Sequence, residues 1–353
     1  MARVNFAEVL AAAGRIDGHV LRTPVLEVSP GTYFKLELLQ HSGSFKVRGA
    51  FNRMLSAGEL PPSGVIAASG GNHGLAVAYA ARALGARAEI FVPEVTSPVK
   101  VAGLSALGAH ITQTGAIYSD AAEAAAKRAA ETGALVVHAY DQPEVVAGQG
   151  TTGLELVRQT GGVDTVLVAV GGGGFAAGIT VGTSDGSKTT GISEGSATPR
   201  PSEPSERSER SERSERSERS EPSEPSGASG AAGGPRIVAV EPMRIPTLHE
   251  ALRAGRPVPV EVGGVAADAL GATRLGGLAF EILSSPRVRS VLVSDEAIVE
   301  ARRTLWARHR VAAEHAGATA YAALLTGAYT PAPGERVAVV ICGSNTDPAT
   351  LTT

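Results

Sequence analysis

The sequence has little of several residue types on which whole classes of protein depend. It contains a single cysteine, Cys342, in 353 residues. That excludes an intramolecular disulfide and any zinc or iron–sulfur site built from clustered cysteines. There is also no excess of charge of one sign, because 32 Lys and Arg stand against 35 Asp and Glu, for a net charge of −3. Charge therefore gives no reason to expect nucleic acid or an anionic membrane as a partner.

Long hydrophobic runs are absent as well. No run reaches the roughly 18 apolar residues that a membrane span needs. Near the N-terminus, Glu8, Arg15 and Asp17 interrupt the stretch in which a signal peptide would have a continuous apolar core. The sequence therefore predicts a cytoplasmic protein that does not associate with a membrane.

One segment lacks the residues from which a core is built. Residues 183–235 contain no Val, Leu, Met or aromatic residue and a single Ile, and their centre repeats Ser-Glu-Arg. Such a segment cannot bury enough apolar area to offset the entropy lost on ordering. We predict a disordered insert, a tolerated expansion of a surface loop. A phosphorylatable or protein-binding tract is the alternative.

The rest of the chain alternates short β-branched runs with longer Ala- and Leu-rich segments of helical spacing. Strands are predicted at Tyr33–Leu39, Val65–Ala68, Ala88–Val92, His110–Gln113, Ala134–His138, Asp164–Val170, Arg236–Glu241, Arg289–Val293 and Arg336–Cys342. Helices are predicted at Asn72–Gly85, Tyr118–Thr132 and Asp295–Arg310. This alternation, with several nearly continuous apolar strands, is typical of parallel sheets covered on both faces. The predicted fold class is α/β, and the spacing suggests two sheets.

Three predicted strands end in glycine-rich turns, the places where an α/β sheet binds ligands. These turns are Ser69–Gly74, Gly171–Gly174 and Cys342–Asp347. Four successive glycines before a helix would form a concave set of N–H donors, which predicts a phosphate site. The pattern Gly171-x-Gly173-x-x-Ala176, with Glu241 ending the next strand, also fits a loose dinucleotide fingerprint. A nicotinamide-dependent oxidoreductase therefore stays open.

A further turn, at residues 43–50, carries Lys46. A lysine that accompanies a phosphate cradle, an asparagine-bearing loop and a polar strand end completes a set of groups. It supplies an amine for a Schiff base, a phosphate seat, and hydrogen-bond partners for a ring hydroxyl and a ring nitrogen. Pyridoxal 5′-phosphate needs this set of groups. We therefore predict this cofactor.

The order of these motifs resembles one family. The segment KLELLQHSGSFKVRGA at residues 35–50 is similar to the lysine motif of the serine/threonine dehydratases, which are fold type II, tryptophan-synthase-β-like pyridoxal phosphate enzymes. SGGNHG, GQGT, the four glycines and CGSN follow in the family's order, and only residues 183–235 fall outside the resemblance. It implies two open, twisted, mostly parallel sheets with helices on both faces. A large domain would comprise 1–47 and 142–353, and a small domain 48–141, with the active site between them.

The resemblance also implies a role for each site residue. Lys46 would be the catalytic amine, bound to the cofactor as a Schiff base and later removing the substrate's α-proton. The cofactor would be held by Phe45 against its ring, by Asn72 at its 3′-oxygen, by Gly171, Gly172, Gly173 and Gly174 at its phosphate, and by Cys342 beside the ring nitrogen. The substrate carboxylate would be bound by Ser69, Gly70, Gly71, Asn72 and His73. For His73 a purely structural role is equally open.

The reaction implied is β-elimination, the dehydration and deamination of L-threonine or L-serine to a 2-oxo acid and ammonia, in a homo-oligomer (dimer or tetramer). Dehydration of hydroxyaspartate or phenylserine, a β-replacement synthase, a serine racemase-like enzyme and a non-enzymatic cofactor-binding interaction module stay open. Racemising relatives usually have a serine where this chain has Gly70, so racemisation should be weak or absent. Glu241 matches one carboxylate of a cation site found in some relatives. Residues 242–247 supply no second acid, so we expect no metal.

Overall fold

The computed structural model describes residues 4–184 and 233–351. They form two sheets of mostly parallel strands with helices on both faces, which confirms the predicted fold class. Of the predicted insert, the structure describes residues 183–184 and 233–235. The prediction of disorder for residues 185–232 lies outside the described residues.

Strands and helices alternate along most of the chain. The helices are α1 (Phe6–Ile16), α2 (Lys46–Ser56), α3 (Asn72–Ala83), α4 (Pro98–Ala106), α5 (Tyr118–Thr132), α6 (Pro143–Thr160), α7 (Gly174–Gly182), α8 (Thr247–Ala254), α9 (Ala267–Leu270), α10 (Gly277–Leu283), α11 (Asp295–His309) and α12 (His315–Leu325). The strands are β1 (Val25–Ser29), β2 (Thr32–Lys35), β3 (Val65–Ala68), β4 (Ala88–Val92), β5 (His110–Gln113), β6 (Leu135–Val136), β7 (Thr165–Ala169), β8 (Arg236–Pro242), β9 (Val288–Val293) and β10 (Val337–Val340). No helix in 4–184 or 233–351 is both long and apolar enough to cross a membrane.

The larger sheet has six strands in the order β1-β2-β10-β7-β8-β9. All neighbours are parallel except β1 and β2, which form an antiparallel pair at one edge. Every residue of β7 and β10 is buried, because helices cover both faces of the sheet's centre. Because β7 and β10 are parallel neighbours, their carboxyl ends lie side by side. They lead into two of the glycine-rich turns.

The smaller sheet has four parallel strands in the order β5-β4-β3-β6. Its strands all come from residues 65–136, whereas the six-stranded sheet takes its strands from residues 25–35 and 165–340. The larger sheet packs in one hydrophobic cluster and the smaller sheet in two others, although α1 and α6 contribute residues to the cores of both sheets. The third glycine-rich turn, residues 69–74, follows β3 at the carboxyl edge of this smaller sheet.

Glycines let α6 approach the helices on both of its sides. A Cβ on Gly148 would lie 2.6 Å from the carbonyl oxygen of Arg48 in α2, and a Cβ on Gly150 would lie 2.9 Å from that of Gly178 in α7. Real Cβ atoms do not approach backbone oxygens this closely, so the helices could not pack this way with alanine at these positions. Since α2 begins at Lys46 and α7 begins in the four-glycine turn, α6 sets the spacing between the two.

The predicted strand Tyr33–Leu39 is wrong beyond Lys35, where β2 ends and Glu37–Leu39 forms a 3₁₀ helix. The cause is Glu37, which is fully buried and accepts hydrogen bonds from Arg48 at 2.8 and 2.7 Å. A buried carboxylate needs such a partner. Because Glu37 meets Arg48 only if the chain turns away from the sheet after Lys35, the strand ends there. Strand β1 was not predicted.

The described residues on either side of 185–232 lie next to each other. Arg287 donates to Ser184 Oγ (3.1 Å) and to the carbonyl oxygen of Pro235 (2.9 Å). A Cβ on Gly234 would overlap the carbonyl oxygen of Thr183. The end of α7 and the start of β8 thus meet at the amino ends of the strands of the larger sheet, opposite the glycine-rich turns.

Candidate active site

The glycine-rich turns and Lys46 converge on one pocket at the carboxyl ends of the strands. The pocket is lined by Phe45, Lys46, Asn72, Gly171–Gly174, Cys342, Tyr140 and Glu314, among others. It opens into a cleft of about 500 Å³ whose walls include Ser69–His73, Thr96, Lys100, Tyr118 and Asp268. The structure therefore brings together every residue that the sequence assigned to the cofactor and the substrate.

Lys46 is the first residue of α2 and lies between the pocket and the cleft. Its Nζ donates to the carbonyl oxygen of Ala139 at 2.7 Å. Removal of the amine from water lowers the pKa of Lys46 to about 8. Beside it, the ring of Phe45 stacks on Phe175, with centroids 3.6 Å apart. Lys46 is therefore an amine that becomes neutral close to physiological pH.

A buried charge cluster fixes the first turn of α2. Arg48 is 1% exposed and binds Glu37 through two nitrogens and Glu155 through one, at 2.7–2.9 Å. Lys35 adds a second cation, 2.6 Å from Glu155. Paired, hydrogen-bonded charges of this kind hold their elements in one geometry, because breaking either partner leaves a buried charge uncompensated. Arg48 lies two residues after Lys46, so the cluster holds the first turn of α2, and with it Lys46, in place.

The four-glycine turn forms a cradle that has no room for side chains. A Cβ on Gly172 would overlap the Tyr140 ring, and one on Gly174 would overlap the Tyr140 carbonyl oxygen. Gly173 has a φ of +86°, which favours glycine on backbone grounds as well. The turn leads directly into α7, whose first N–H groups have no intrahelical acceptor. Backbone donors around a concave space at a helix N-terminus suit a phosphate.

The turn after β3 leads into α3, which begins at Asn72. Ser69 Oγ accepts a hydrogen bond from the Gly71 backbone N–H at 3.2 Å. His73 lines the cleft, but its Nε2 lies 2.8 Å from the carbonyl oxygen of Val137. Burial lowers the pKa of His73 to about 3, so the ring is neutral and carries its proton on Nε2. That nitrogen is therefore used within the fold.

Cys342 follows β10 and lines the same pocket as Lys46 and Glu314. Its thiol is 3% exposed and lies 3.6 Å from the carbonyl oxygen of Ala316, to which it donates. Burial raises the pKa of the Cys342 thiol well above its ordinary value. The group is thus a protonated, weakly hydrogen-bonding thiol.

Two pocket residues, Glu314 and Tyr140, were missed by the sequence reasoning. Glu314 is 7% exposed and accepts a hydrogen bond from Asn72 Nδ2 at 2.6 Å. Tyr140 packs against the four-glycine turn and lies in the loop after β6. The strand-end rule that found the three glycine-rich turns also applies to β6, so a signal for Tyr140 was present. For Glu314 the sequence offers only one acid in an alanine-rich stretch.

Glu241, considered for a cation or ribose site, is engaged within the protein. Its carboxylate accepts hydrogen bonds from the backbone N–H groups of Leu248 (2.7 Å) and His249 (2.9 Å) in α8. Burial raises the pKa of Glu241 to about 7, although these hydrogen bonds lower it. Within the described ranges, no three His, Cys, Asp or Glu side chains come together as metal ligands would.

Comparisons with known proteins agree with this geometry. A family model described as "Pyridoxal-phosphate dependent enzyme" matches residues 16–227 and 226–343. The L-threonine ammonia-lyase of Geobacter sulfurreducens is 35% identical over 320 residues, which is 90% of this chain and 68% of that protein. The phenylserine dehydratase of Ralstonia pickettii is 30% identical over 98% of this chain and 95% of its own length. Among solved structures, a threonine deaminase from T.th. superposes with a TM-score of 0.76 at 32% identity, covering 97% of this chain and 99% of the other.

The family model spans most of the chain, including the motifs that converge on the pocket. The chain therefore belongs to the pyridoxal-phosphate-dependent enzymes, and within them it is a lyase of fold type II.

Proposed function

We propose that this protein converts L-threonine and L-serine to 2-oxo acids and ammonia by β-elimination, with Lys46 as the catalytic amine. The observation that carries the proposal is the position of Lys46, which lines both the pocket with the four-glycine cradle and the cleft with residues 69–73. When bound, pyridoxal phosphate supplies an electron sink that stabilises negative charge at the α-carbon of an attached amino acid. The names of the L-threonine ammonia-lyase and threonine deaminase relatives support the choice of substrate.

The pocket residues fit this cofactor. Gly171–Gly174 and the N-terminus of α7 would hold its phosphate, since a backbone without side chains leaves its N–H groups accessible. Phe45 would pack against the ring, and Asn72 would donate to the ring's 3′-oxygen. Cys342 would lie beside the ring nitrogen. Because its thiol stays protonated and is a poor acid, it would leave that nitrogen neutral.

The substrate carboxylate would bind at the turn from Ser69 to His73. The first N–H groups of α3 lack intrahelical acceptors, and the helix dipole favours an anion there. We assign this role to the backbone N–H groups of the turn, including that of Asn72, rather than to the His73 ring, whose Nε2 lies 2.8 Å from the Val137 carbonyl oxygen. Lys46, across the cleft, would then remove the α-proton of the bound amino acid.

The lowered pKa of Lys46 leads to a first prediction, on the pH dependence of cofactor capture. Only the neutral amine attacks the cofactor's aldehyde, so the rate of capture by cofactor-free protein should rise about tenfold per pH unit and level off above about pH 8. An unperturbed lysine would level off near pH 10.4. Stopped-flow measurement of the cofactor's visible absorbance gives the rate. A midpoint close to that of a model lysine peptide would contradict the prediction.

The same proposal extends to the organisation of the chain. We propose that residues 48–141 form a small domain and that 1–47 with 142–353 form a large one, supported by the separate cores of the two sheets. We also propose a cytoplasmic homo-oligomer, a dimer or tetramer. Leu21 and Leu39, at 43% and 53% exposed, offer apolar surface near the edge strand β1.

A second candidate is a phenylserine dehydratase. One relative carries that name at 30% identity and near-complete coverage. The cleft also has aromatic walls, from Tyr118 and Tyr140, against which a phenyl side chain could pack. A hydrophobic pocket discriminates only weakly between substrates that differ by one methylene, by about 1–3 kcal/mol. Substrate preference must therefore be measured.

The second prediction is the substrate profile of cofactor-loaded protein. We expect release of 2-oxo acid from L-threonine and L-serine, with kcat/KM about tenfold or more above that for phenylserine and 3-hydroxyaspartate. Chiral chromatography should detect no D-serine, because Gly70 has no side chain that could carry a proton. Visible absorbance of the bound cofactor confirms loading. Turnover of phenylserine without turnover of threonine or serine would replace the first assignment by the second.

A further inference from the structure

One buried acid in the pocket has no role in the function proposed above. Glu314 is the N-cap residue of α12, but its side chain makes no capping hydrogen bond to that helix. It is 7% exposed and lines the same pocket as Lys46 and Cys342. Burying a carboxyl group is costly unless its oxygens accept hydrogen bonds. The partners of Glu314 therefore indicate what it does.

Glu314 and Asn345 bind the two ends of the Asn72 side-chain amide. Glu314 Oε1 accepts from Asn72 Nδ2 at 2.6 Å, and Asn72 Oδ1 accepts from Asn345 Nδ2 at 2.6 Å. Asn345 is itself fixed, because its Nδ2 also donates to the carbonyl oxygen of Ser42 at 2.9 Å. Its backbone N–H donates in turn to the Glu314 carboxyl group. The amide thus has an acceptor on one side and a donor on the other.

This arrangement fixes the orientation of the Asn72 amide. A flipped amide would bring Oδ1 against an oxygen of Glu314 and Nδ2 against the amide nitrogen of Asn345, and both contacts are repulsive. An amide nitrogen carries two hydrogens. Glu314 takes one of them, which leaves the second N–H available to a ligand in the pocket that Asn72 lines.

We propose that Glu314 is a positioning residue for the cofactor, which accepts one N–H of Asn72 and so directs the other at the cofactor's 3′-oxygen. The inference rests on the proposed function, because that function assigns Asn72 to this oxygen. Gly343 makes the contact possible, since a Cβ there would overlap Glu314 Oε1. A glycine at position 343 thus leaves the space that the Glu314 side chain occupies.

The role needs an acceptor oxygen but not a charge. Burial raises the pKa of Glu314 to about 7, while the hydrogen bond from Asn72 lowers it. The charged and titratable groups that face it are Lys46, Cys342, Asp268 and Lys100. A protonated carboxyl group still offers Asn72 a carbonyl oxygen, and so does a glutamine. This separates orientation of Asn72 from proton transfer by Glu314, which a glutamine could not perform.

The third prediction tests this with three variants of the holoenzyme: Glu314→Gln, Glu314→Ala and Asn72→Ala. The readout is the pH midpoint of the bound cofactor's visible absorbance change, which responds to the hydrogen bond at the 3′-oxygen. Glu314→Ala should shift the midpoint in the same direction as Asn72→Ala, by about half to one pH unit, the usual worth of one hydrogen bond. Glu314→Gln should keep the wild-type midpoint. We expect kcat to fall about tenfold to a hundredfold in Glu314→Ala and at most about threefold in Glu314→Gln.

A double variant gives the control. If both residues act through one contact, Glu314→Ala should add no further shift to Asn72→Ala. An unchanged midpoint in Glu314→Ala, or a shift in Glu314→Gln as large as in Glu314→Ala, would overturn the proposal.

Should Glu314→Ala not fold, Asn345→Ala provides the second test. This substitution removes the donor to Asn72 Oδ1, and Asn345 is exposed. We expect a smaller shift in the same direction, and no shift would count against the proposal. The absorbance measurement uses no substrate, so its outcome is independent of whether threonine and serine are turned over.

Discussion

Replacing Lys46 with alanine is expected to abolish turnover, with kcat lower by about 10³-fold or more. The variant loses both the amine that captures the cofactor and the base that removes the α-proton. Proton transfer alone is typically worth about 10²- to 10⁴-fold. Lys46→Arg should be equally inactive, because a guanidinium remains protonated and cannot serve as nucleophile or base. Release of 2-oxo acid and the cofactor's absorbance in the visible measure the two losses separately.

A surface lysine is the matched control for this prediction. Lys127 lies on α5, is exposed and is not among the residues that line the pocket or the cleft. Lys127→Ala should therefore leave turnover and absorbance at the wild-type values. If Lys46→Ala retained activity within tenfold of the wild type, Lys46 could not be the catalytic amine.

Replacing Gly174 with alanine should weaken cofactor binding by about a hundredfold. The new Cβ would overlap the carbonyl oxygen of Tyr140, which belongs to another segment and cannot move aside as a flexible side chain could. The start of α7 must therefore shift and take the cradle's N–H groups with it. Displacements of about 1 Å at a site of this kind cost on the order of 10²-fold. Titration of cofactor-free protein, followed by absorbance, gives the dissociation constant.

Gly14 provides the control for this substitution. It lies in the last turn of α1, and a Cβ there would meet nothing within 4 Å. Gly14→Ala should leave cofactor affinity unchanged and raise stability slightly, since alanine in a helix is favoured over glycine by about 1 kcal/mol. Equal cofactor affinity in Gly174→Ala and Gly14→Ala would show that the cradle does not depend on its missing side chains.

Three of the four strands of the smaller sheet could be predicted to the residue, whereas the strand predicted at Ala134–His138 comprises only Leu135–Val136. Strands Val65–Ala68, Ala88–Val92 and His110–Gln113 and helix Tyr118–Thr132 begin and end where the hydrophobic pattern places them. Local signals suffice there, because each helix or strand is bounded by turn residues. At the end of α5, for instance, Gly133 takes the left-handed conformation with a φ of +69°.

Prediction failed where a distant contact decides the local structure. The apolar residues after Lys35 suggested that the strand runs to Leu39, but the buried ion pair of Glu37 with Arg48 turns the chain out of the sheet. In the same way, 242 positions separate Glu314 from Asn72 in sequence. Their contact depends on how α12 packs beside the end of β10, which no local pattern reveals. The glycine-rich turns were found because each directly follows its own strand, and Lys46 was found because a short local sequence motif surrounds it.

The hydrogen bonds from Arg287 to Ser184 and Pro235 have a consequence for protein engineering. Arg287 holds Ser184 and Pro235 next to each other, so the segment that connects these two residues has a fixed, short span to bridge. Doubling the length of such a connection costs only about 0.6 kcal/mol. The junction also lies at the edge of the sheet opposite the catalytic pocket. We therefore expect this junction to accept an inserted reporter domain or affinity tag, because the pocket lies at the opposite ends of the strands.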